Sequence, residues 1–224
     1  MRPGRRSVRR SVNIIFIYSN MRCLELCSGT QSFSKVARLR GHETTTVDMN
    51  EKSNPDIVGS VVDLVGTFKK GQFDFIWASP PCTGYSNANT LPLERKNLPM
   101  WDEIAQACLA IIDQVEPTFY VIENPVGMMR HRSFIQPWTE KGLSTVSYCM
   151  YGKPYRKNTD LWNNLPGFVP LKCKKDCGNI IDNKHASVCQ TGRRKPTDTQ
   201  VPTTKLNDRY SIPPRLMEAI LDCT

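Results

Sequence analysis

The chain has 224 residues, long enough to bury one α/β core with a modest addition. Hydrophobic residues make up 39% and charged residues 23%, which excludes a disordered chain and reads as soluble and globular. The longest apolar run, residues 14–18, is far short of the ~20 residues that span a bilayer, so no membrane partner is expected.

Residues 1–20 carry Arg2, Arg5, Arg6, Arg9 and Arg10 and no acid. This leader reads as a basic arm, a weak targeting signal, or upstream sequence read through from an earlier start; the last is favoured, because Met21 opens a natural first strand. That strand covers residues 21–26 and is followed by the small-residue turn Cys27-Ser28-Gly29-Thr30. Residues 32–40 read as a helix, with Phe33, Val36, Ala37 and Leu39 apolar and Gly41 as its stop. Residues 44–47 are β-branched and end at Asp48, and residues 57–64 give a further extended segment ending near Asp63. Residues 73–77 form a fourth strand that runs into Ser79-Pro80-Pro81-Cys82. Residues 100–115 repeat apolar positions at helical spacing. Residues 119–122 form a fifth strand ending at Glu123-Asn124-Pro125, and residues 145–149 a sixth. Residues 165–208 lose this rhythm, and Pro213-Pro214 then opens a terminal helix. Alternating strands and helices imply an α/β fold: a parallel-rich sheet with helices on both faces. The domain reading is a leader (1–20), a catalytic domain (21–164), a small irregular basic insertion (165–208) and a completing helix (209–224).

Net charge is +9, and residues 165–210 hold nine Lys or Arg against four Asp. A localised surplus suits phosphate binding; a solvated basic loop is the alternative. The nine cysteines are odd in number and several lie in apparent core elements. With no clear secretory signal, this reads as a reduced, intracellular protein rather than a disulfide scaffold.

Ligands of open α/β sheets bind outside the carboxyl ends of the strands. The strand ends here carry Ser-Gly-Thr, where backbone can approach a ligand closely, then Asp48, Asp63, Cys82 and Glu123. A carboxylate after the second strand suits a ribose diol, and one after the third can accept from an adenine amino group. Either Asp alone reads equally well as a cap or turn residue. A free cysteine is more often a buried hydrophobe than a nucleophile. Two prolines before it fix the backbone torsions and remove two amide donors, an unusual mount for an inert thiol. A rigid thiol beside a carboxylate can attack a ring carbon while the carboxyl donates to a ring nitrogen.

Three blocks, "LELCSGTQSFSKVARLRGHETTTVD", "DFIWASPPCTGYS" and "YVIENP", resemble in order and spacing the signatures of the cytosine-5 DNA methyltransferases, and the small size resembles their compact viral and phage branch. The resemblance covers residues 21–164. It implies a class I, Rossmann-like domain that uses S-adenosylmethionine and methylates C5 of cytosine in DNA, most naturally duplex DNA from which the base is flipped. It implies that Cys27, Ser28, Gly29 and Thr30 line the cofactor site with Leu64 and Pro80. Asp48 would hold the ribose, Met49 would lie against the adenine and Asp63 would bind its amino group. It implies a catalytic group of Cys82, attacking C6, and Glu123, acting at N3, with Pro81 and Asn124 beside them; the Thr83-Gly84 turn is expected to leave room for the base. Ser79-Pro80-Pro81 also resembles the catalytic turn of the amino-methyltransferases, which place an aromatic residue where Cys82 stands; a cysteine there, with Glu123 one strand away, favours carbon methylation. Methylation of RNA and a catalytically silent DNA-binding relative are the other readings. A monomer in the nucleus or cytoplasm of a host cell is the expectation.

"YGKPYRKNTDLW" departs from the Tyr-Gly-x-Pro-Gln-x-Arg-x-Arg block of larger relatives, and both arginines are lost. Arg156 or Lys157 is expected to supply positive charge near the base. "RYSIPPRL" has Arg209-Tyr210 where relatives carry Gly-Asn. In the basic segment, Lys172, Lys174, Lys175, Arg193, Arg194 and Lys195 are candidate phosphate contacts. Cys173, Cys177, His185 and Cys189 offer four ligands suited to tetrahedral zinc; unrelated cysteines in a basic loop are the alternative.

Overall fold

The computed structural model describes residues 20–87, 89–187, 189 and 206–224. The leader, Arg193, Arg194 and Lys195 therefore lie outside the described residues, apart from Asn20.

Strands β1 (Arg22–Leu26), β2 (Glu43–Asp48), β3 (Ile57–Val58), β4 (Phe75–Ala78), β5 (Phe119–Pro125), β6 (Leu143–Ser147) and β7 (Asn158–Asn163) form one sheet in the order β3-β2-β1-β4-β5-β7-β6. The first five pair in parallel, while β7 runs antiparallel to both β5 and β6. Helices α1 (Ser32–Leu39), α2 (Leu98–Val115), α3 (Gln136–Lys141), α4 (Leu206–Tyr210) and α5 (Pro214–Leu221) complete the fold, with a two-residue ladder of β8 (Ile180–Ile181) and β9 (Lys184–His185).

The alternation of side chains along each strand splits the core into two layers. Leu24, Leu26, Ile76, Ala78 and Ile122 face α2 and Trp138 of α3. Cys23, Phe75, Trp77, Val121 and Leu161 face α1 and α5. Phe33 of α1 stacks on Phe75 and Trp77 with ring centroids 4.8 and 5.6 Å apart, which seats the helix on β4. This is the expected Rossmann-like α/β class with helices on both faces.

Three elements differ from the sequence expectation. The third strand stops at Val58, because Val61 to Thr67 turn back in a series of short hydrogen-bonded turns; Asp63 is therefore exposed in a turn rather than at a strand end. The sixth strand ends at Ser147, and Tyr148–Tyr151 form a tight helical turn. Strand β7 carries little periodicity because Thr159, Asp160 and Asn163 are buried polar residues. Asp160 is matched by a bidentate Arg130 (2.8 and 2.5 Å) and by the Thr145 hydroxyl (2.8 Å).

Candidate active site

The carboxyl ends of β1, β2, β4 and β5 open on one cavity of about 260 Å³. Its wall includes Glu25, Cys27, Ser28, Gly29, Thr30, Asp48, Ser79, Pro80, Pro81, Cys82, Glu123 and Lys157.

The loop after β1 is held in a tight, strained path. Cys27 (φ 55°), Gly29 (φ 44°) and Gln31 (φ 54°) all take left-handed backbone conformations, favourable only for the glycine. The Ser28 amide donates to Val47 O (2.9 Å) and the Gly29 amide to Asp48 Oδ2 (2.7 Å). The other Asp48 oxygen accepts from the Asn50 amide (2.8 Å), so each oxygen keeps a free lone pair. Ser28 Oγ is buried and has no hydrogen-bond partner. Glu25, fully buried in β1, accepts the Phe33 and Ser34 amides (3.3 and 2.9 Å) at the start of α1. Burial pushes its carboxyl up to about 7, against the pull of those hydrogen bonds.

Beyond β4 the chain is clamped at four points. The Ser79 amide donates to Leu26 O (3.1 Å), and Trp77 Nε1 donates to Ser79 Oγ (2.7 Å). Asn124 Nδ2 donates to Pro80 O (2.9 Å), tying the end of β5 to the proline pair. Cys82 O accepts the amides of Tyr85 and Ser86 (3.0 and 2.8 Å). Tyr85 is buried and its hydroxyl donates to Asp102 Oδ1 (2.8 Å), which Arg132 also engages. Burial pushes the Cys82 thiol up, Lys157 pulls it down, and Glu123 raises it. In the Thr83-Gly84 turn, Thr83 lines the cavity, while Gly84 is buried and a Cβ there would sit 2.0 Å from Cδ1 of Trp101, so the glycine makes room for the indole ring.

Glu123 is buried, and its Oε1 accepts the Tyr148 hydroxyl at 2.9 Å. The Lys157 ammonium lies 5.0 Å from the Tyr148 ring centroid and donates to Arg209 O (3.3 Å). Arg156 instead points away and donates to Asn158 Oδ1 (3.2 Å). The C-terminal block closes the cavity: Tyr210 and Ile212 line it, and the Ile212 amide donates to Ser32 Oγ (3.0 Å).

Not all the expected residues meet here. Met49 and Asp63 are exposed and Leu64 packs against the core; none of the three lines the cavity. Lys172, Lys174 and Lys175 are exposed on the irregular segment. The expected metal set is corrected at one position. Cys173, Cys177 and His185 come together, but their fourth neighbour is Cys149, not Cys189. The pairing of Ser187 with Tyr155 carries the chain away from the cluster, and Cys189 instead feels the charges of Lys157, Arg209 and Lys153.

Sequence reasoning missed Glu25, Ser79, Tyr148 and Tyr210. Glu25 had a readable signal, an acid in an apolar strand seven residues before a helix start. Tyr148 and Tyr210 reach the site only through long-range packing.

Residues 30–148 match the model of the C-5 cytosine-specific DNA methylase family. The chain is 32% identical over 227 aligned positions to a probable DNA (cytosine-5)-methyltransferase of Frog virus 3 (isolate Goorha), covering 90% of this chain and 99% of that protein. Among solved structures, a putative DNA modification methyltransferase encoded within a prophage of E. coli is 17% identical with a TM-score of 0.49, over 63% of this chain and 45% of that one. With a family match over more than half its length and a relative aligned almost end to end, the chain belongs to the C-5 cytosine-specific DNA methylase family.

Proposed function

We propose that the protein transfers a methyl group from S-adenosylmethionine to C5 of cytosine in DNA, with Cys82 as nucleophile and Glu123 as the acid at N3. The observation that carries this reading is the shared cavity, in which thiol, carboxyl and a nucleoside-type half-site occur together.

The residues fit the cofactor. Ser28 Oγ lacks a partner inside the wall, and Asp48 keeps one lone pair free on each oxygen for a ribose diol. S-adenosylmethionine supplies an electrophilic methyl group when bound. Cys82, deprotonated, forms a bond from Sγ to C6 of cytosine. The displaced electron pair passes through the ring to N3, where Glu123 gives its proton. C5 becomes nucleophilic and takes the methyl. Loss of the C5 proton to a base then returns the electron pair, the S–C6 bond breaks, and N3 returns its proton to Glu123. Lys157 favours the thiolate, and Tyr148 fixes the carboxyl by donating to one oxygen. In a duplex the cytosine must leave the stack, at a cost of a few kcal/mol. Lys172, Lys174 and Lys175 supply phosphate contacts from segment 165–208, which acts as a reduced target-recognition element.

The test is methyl transfer from labelled cofactor to cytosine-containing duplex DNA, with transfer RNA as competitor. Cys82→Ser should abolish transfer, and 5-fluorocytosine DNA should trap a covalent adduct with the wild type only. Undiminished C5 methylation by Cys82→Ser would sink the mechanism; preferential labelling of transfer RNA would move the substrate to RNA.

A further inference from the structure

We propose that Cys149, Cys173, Cys177 and His185 form a structural zinc site that staples the irregular basic segment to the catalytic domain. The one ligand atom offered by each lies within 4.8 Å of all the others. A tetrahedral Cys3His site, with Zn–S of about 2.3 Å and Zn–N of about 2.0 Å, has S···S edges of about 3.8 Å and S···N edges of about 3.5 Å. Cys173 Sγ and His185 Nε2 are 3.5 Å apart, already at such an edge. The remaining separations close by small rotations of the side chains. Three thiolates and an imidazole favour zinc over the oxygen-seeking cations. Binding releases the three thiol protons to solvent.

A second observation points to a charged sulfur. The Lys175 amide donates to Cys173 Sγ at 3.2 Å, the backbone-to-sulfur bond that accompanies thiolate ligands. That bond depends on a turn in which Lys175 itself takes φ 72°, an unfavourable left-handed conformation for lysine. The segment has little apolar core of its own, and hydrogen bonds such as Leu171 N to the Tyr151 hydroxyl (3.0 Å) and Asn179 Nδ2 to Lys153 O (3.2 Å) tie it to the domain. Between residues 166 and 187 only Cys173 and Ser187 are buried, while Val169, Leu171 and Ile181 are exposed. Its one ladder, β8 with β9, is two residues long on each side, too short to be stable alone.

The fourth ligand sets what the staple joins. Cys149 lies in the turn after β6, next to Tyr148, the residue that donates to Glu123. The same stretch receives the segment through Ser147 N to Leu171 O (2.9 Å), Cys173 N to Ser147 Oγ (3.1 Å) and Ser187 N to Pro154 O (3.2 Å). The metal therefore joins a phosphate-binding surface to the backbone that positions the acid.

Full-length protein purified without chelator should contain about one zinc per chain by elemental analysis. Cobalt(II) substitution should give intense tetrahedral d–d bands and a sulfur-to-cobalt charge-transfer band. Cys189→Ser should keep the metal and the spectrum. Cys177→Ser should weaken zinc binding at least tenfold. Cys149→His, which preserves four ligands should Cys149→Ser fail to fold, should keep cobalt but lose about a third of the charge-transfer intensity. Metal-free wild type, a disulfide among Cys149, Cys173 and Cys177, or loss of metal on Cys189→Ser with an unchanged cobalt spectrum in Cys149→His would overturn the site. The result is independent of the methylation reading, because Cys82→Ser should bind zinc as the wild type does.

Discussion

Lys157 lines the cavity, and its charge opposes the burial that holds the Cys82 thiol up. The sign follows directly: a nearby cation favours the thiolate, so removing it raises the pH at which the thiol ionises. Lys157→Met should move the alkaline limb of Cys82 alkylation to higher pH, with a several-fold slower rate at a fixed mildly alkaline pH. Iodoacetamide labelling read by mass spectrometry checks it; an unchanged profile would assign the effect elsewhere. Tyr148 acts on the other partner. Removing one hydrogen bond to a charged or ionising group is worth about 1.5–3 kcal/mol, so Tyr148→Phe should lower kcat for methyl transfer roughly ten- to a hundredfold while KM for DNA holds. Cys82, Glu123, Asp48 and Gly29 were legible because each belongs to a contiguous motif at a strand end. Lys157 was legible only as one of two candidates, since neighbours in sequence diverge once β7 fixes which side faces the cavity. Tyr148 had no local signal, because its partner is 25 residues away.

Among the elements, β1 and α1 are joined by a buried acid. The folded pKa of Glu25, about 7, lies above its ordinary 4.5, so the folded state binds the proton more tightly. The stabilisation is complete below pH 4.5 and is lost as pH rises through about 7, a span worth about 3 kcal/mol. Glu25→Gln should flatten this slope in denaturant titrations between those limits without cofactor; an equal slope in both proteins would refute it. Helix α2 and strands β1, β4 and β5 were readable because apolar periodicity and burial agree. Strand β7 and helix α3 were not. The first buries Thr159 and Asp160, and the second is six residues long with a proline at its start.

Across the whole molecule, the basic surplus belongs to segment 165–210 rather than to the sheet. If Lys172, Lys174 and Lys175 each neutralise a phosphate, replacing all three with glutamine should reduce the slope of log K against log salt by roughly 2 to 3 on duplex DNA. Fluorescence anisotropy across a salt series measures this, and an unchanged slope would remove the segment from the interface. The sheet class was legible from the alternation of elements along the chain. The metal set was not, because spacing alone favours the next cysteine in sequence, whereas the fold delivers one from before β7.

The cavity wall also constrains the order of folding. Ile212 bonds to Ser32 across 180 residues of chain, and Arg40 bonds to Asp222 across 182. The first loop of the sheet therefore waits for the last helix before its pocket is closed. Loop closure over such a span is entropically costly and slow. During synthesis the Cys82 turn can form on β4 and β5 while the cavity wall still lacks Tyr210 and Ile212. Completion of the cavity thus becomes a late event, tied to docking of the C-terminal helix.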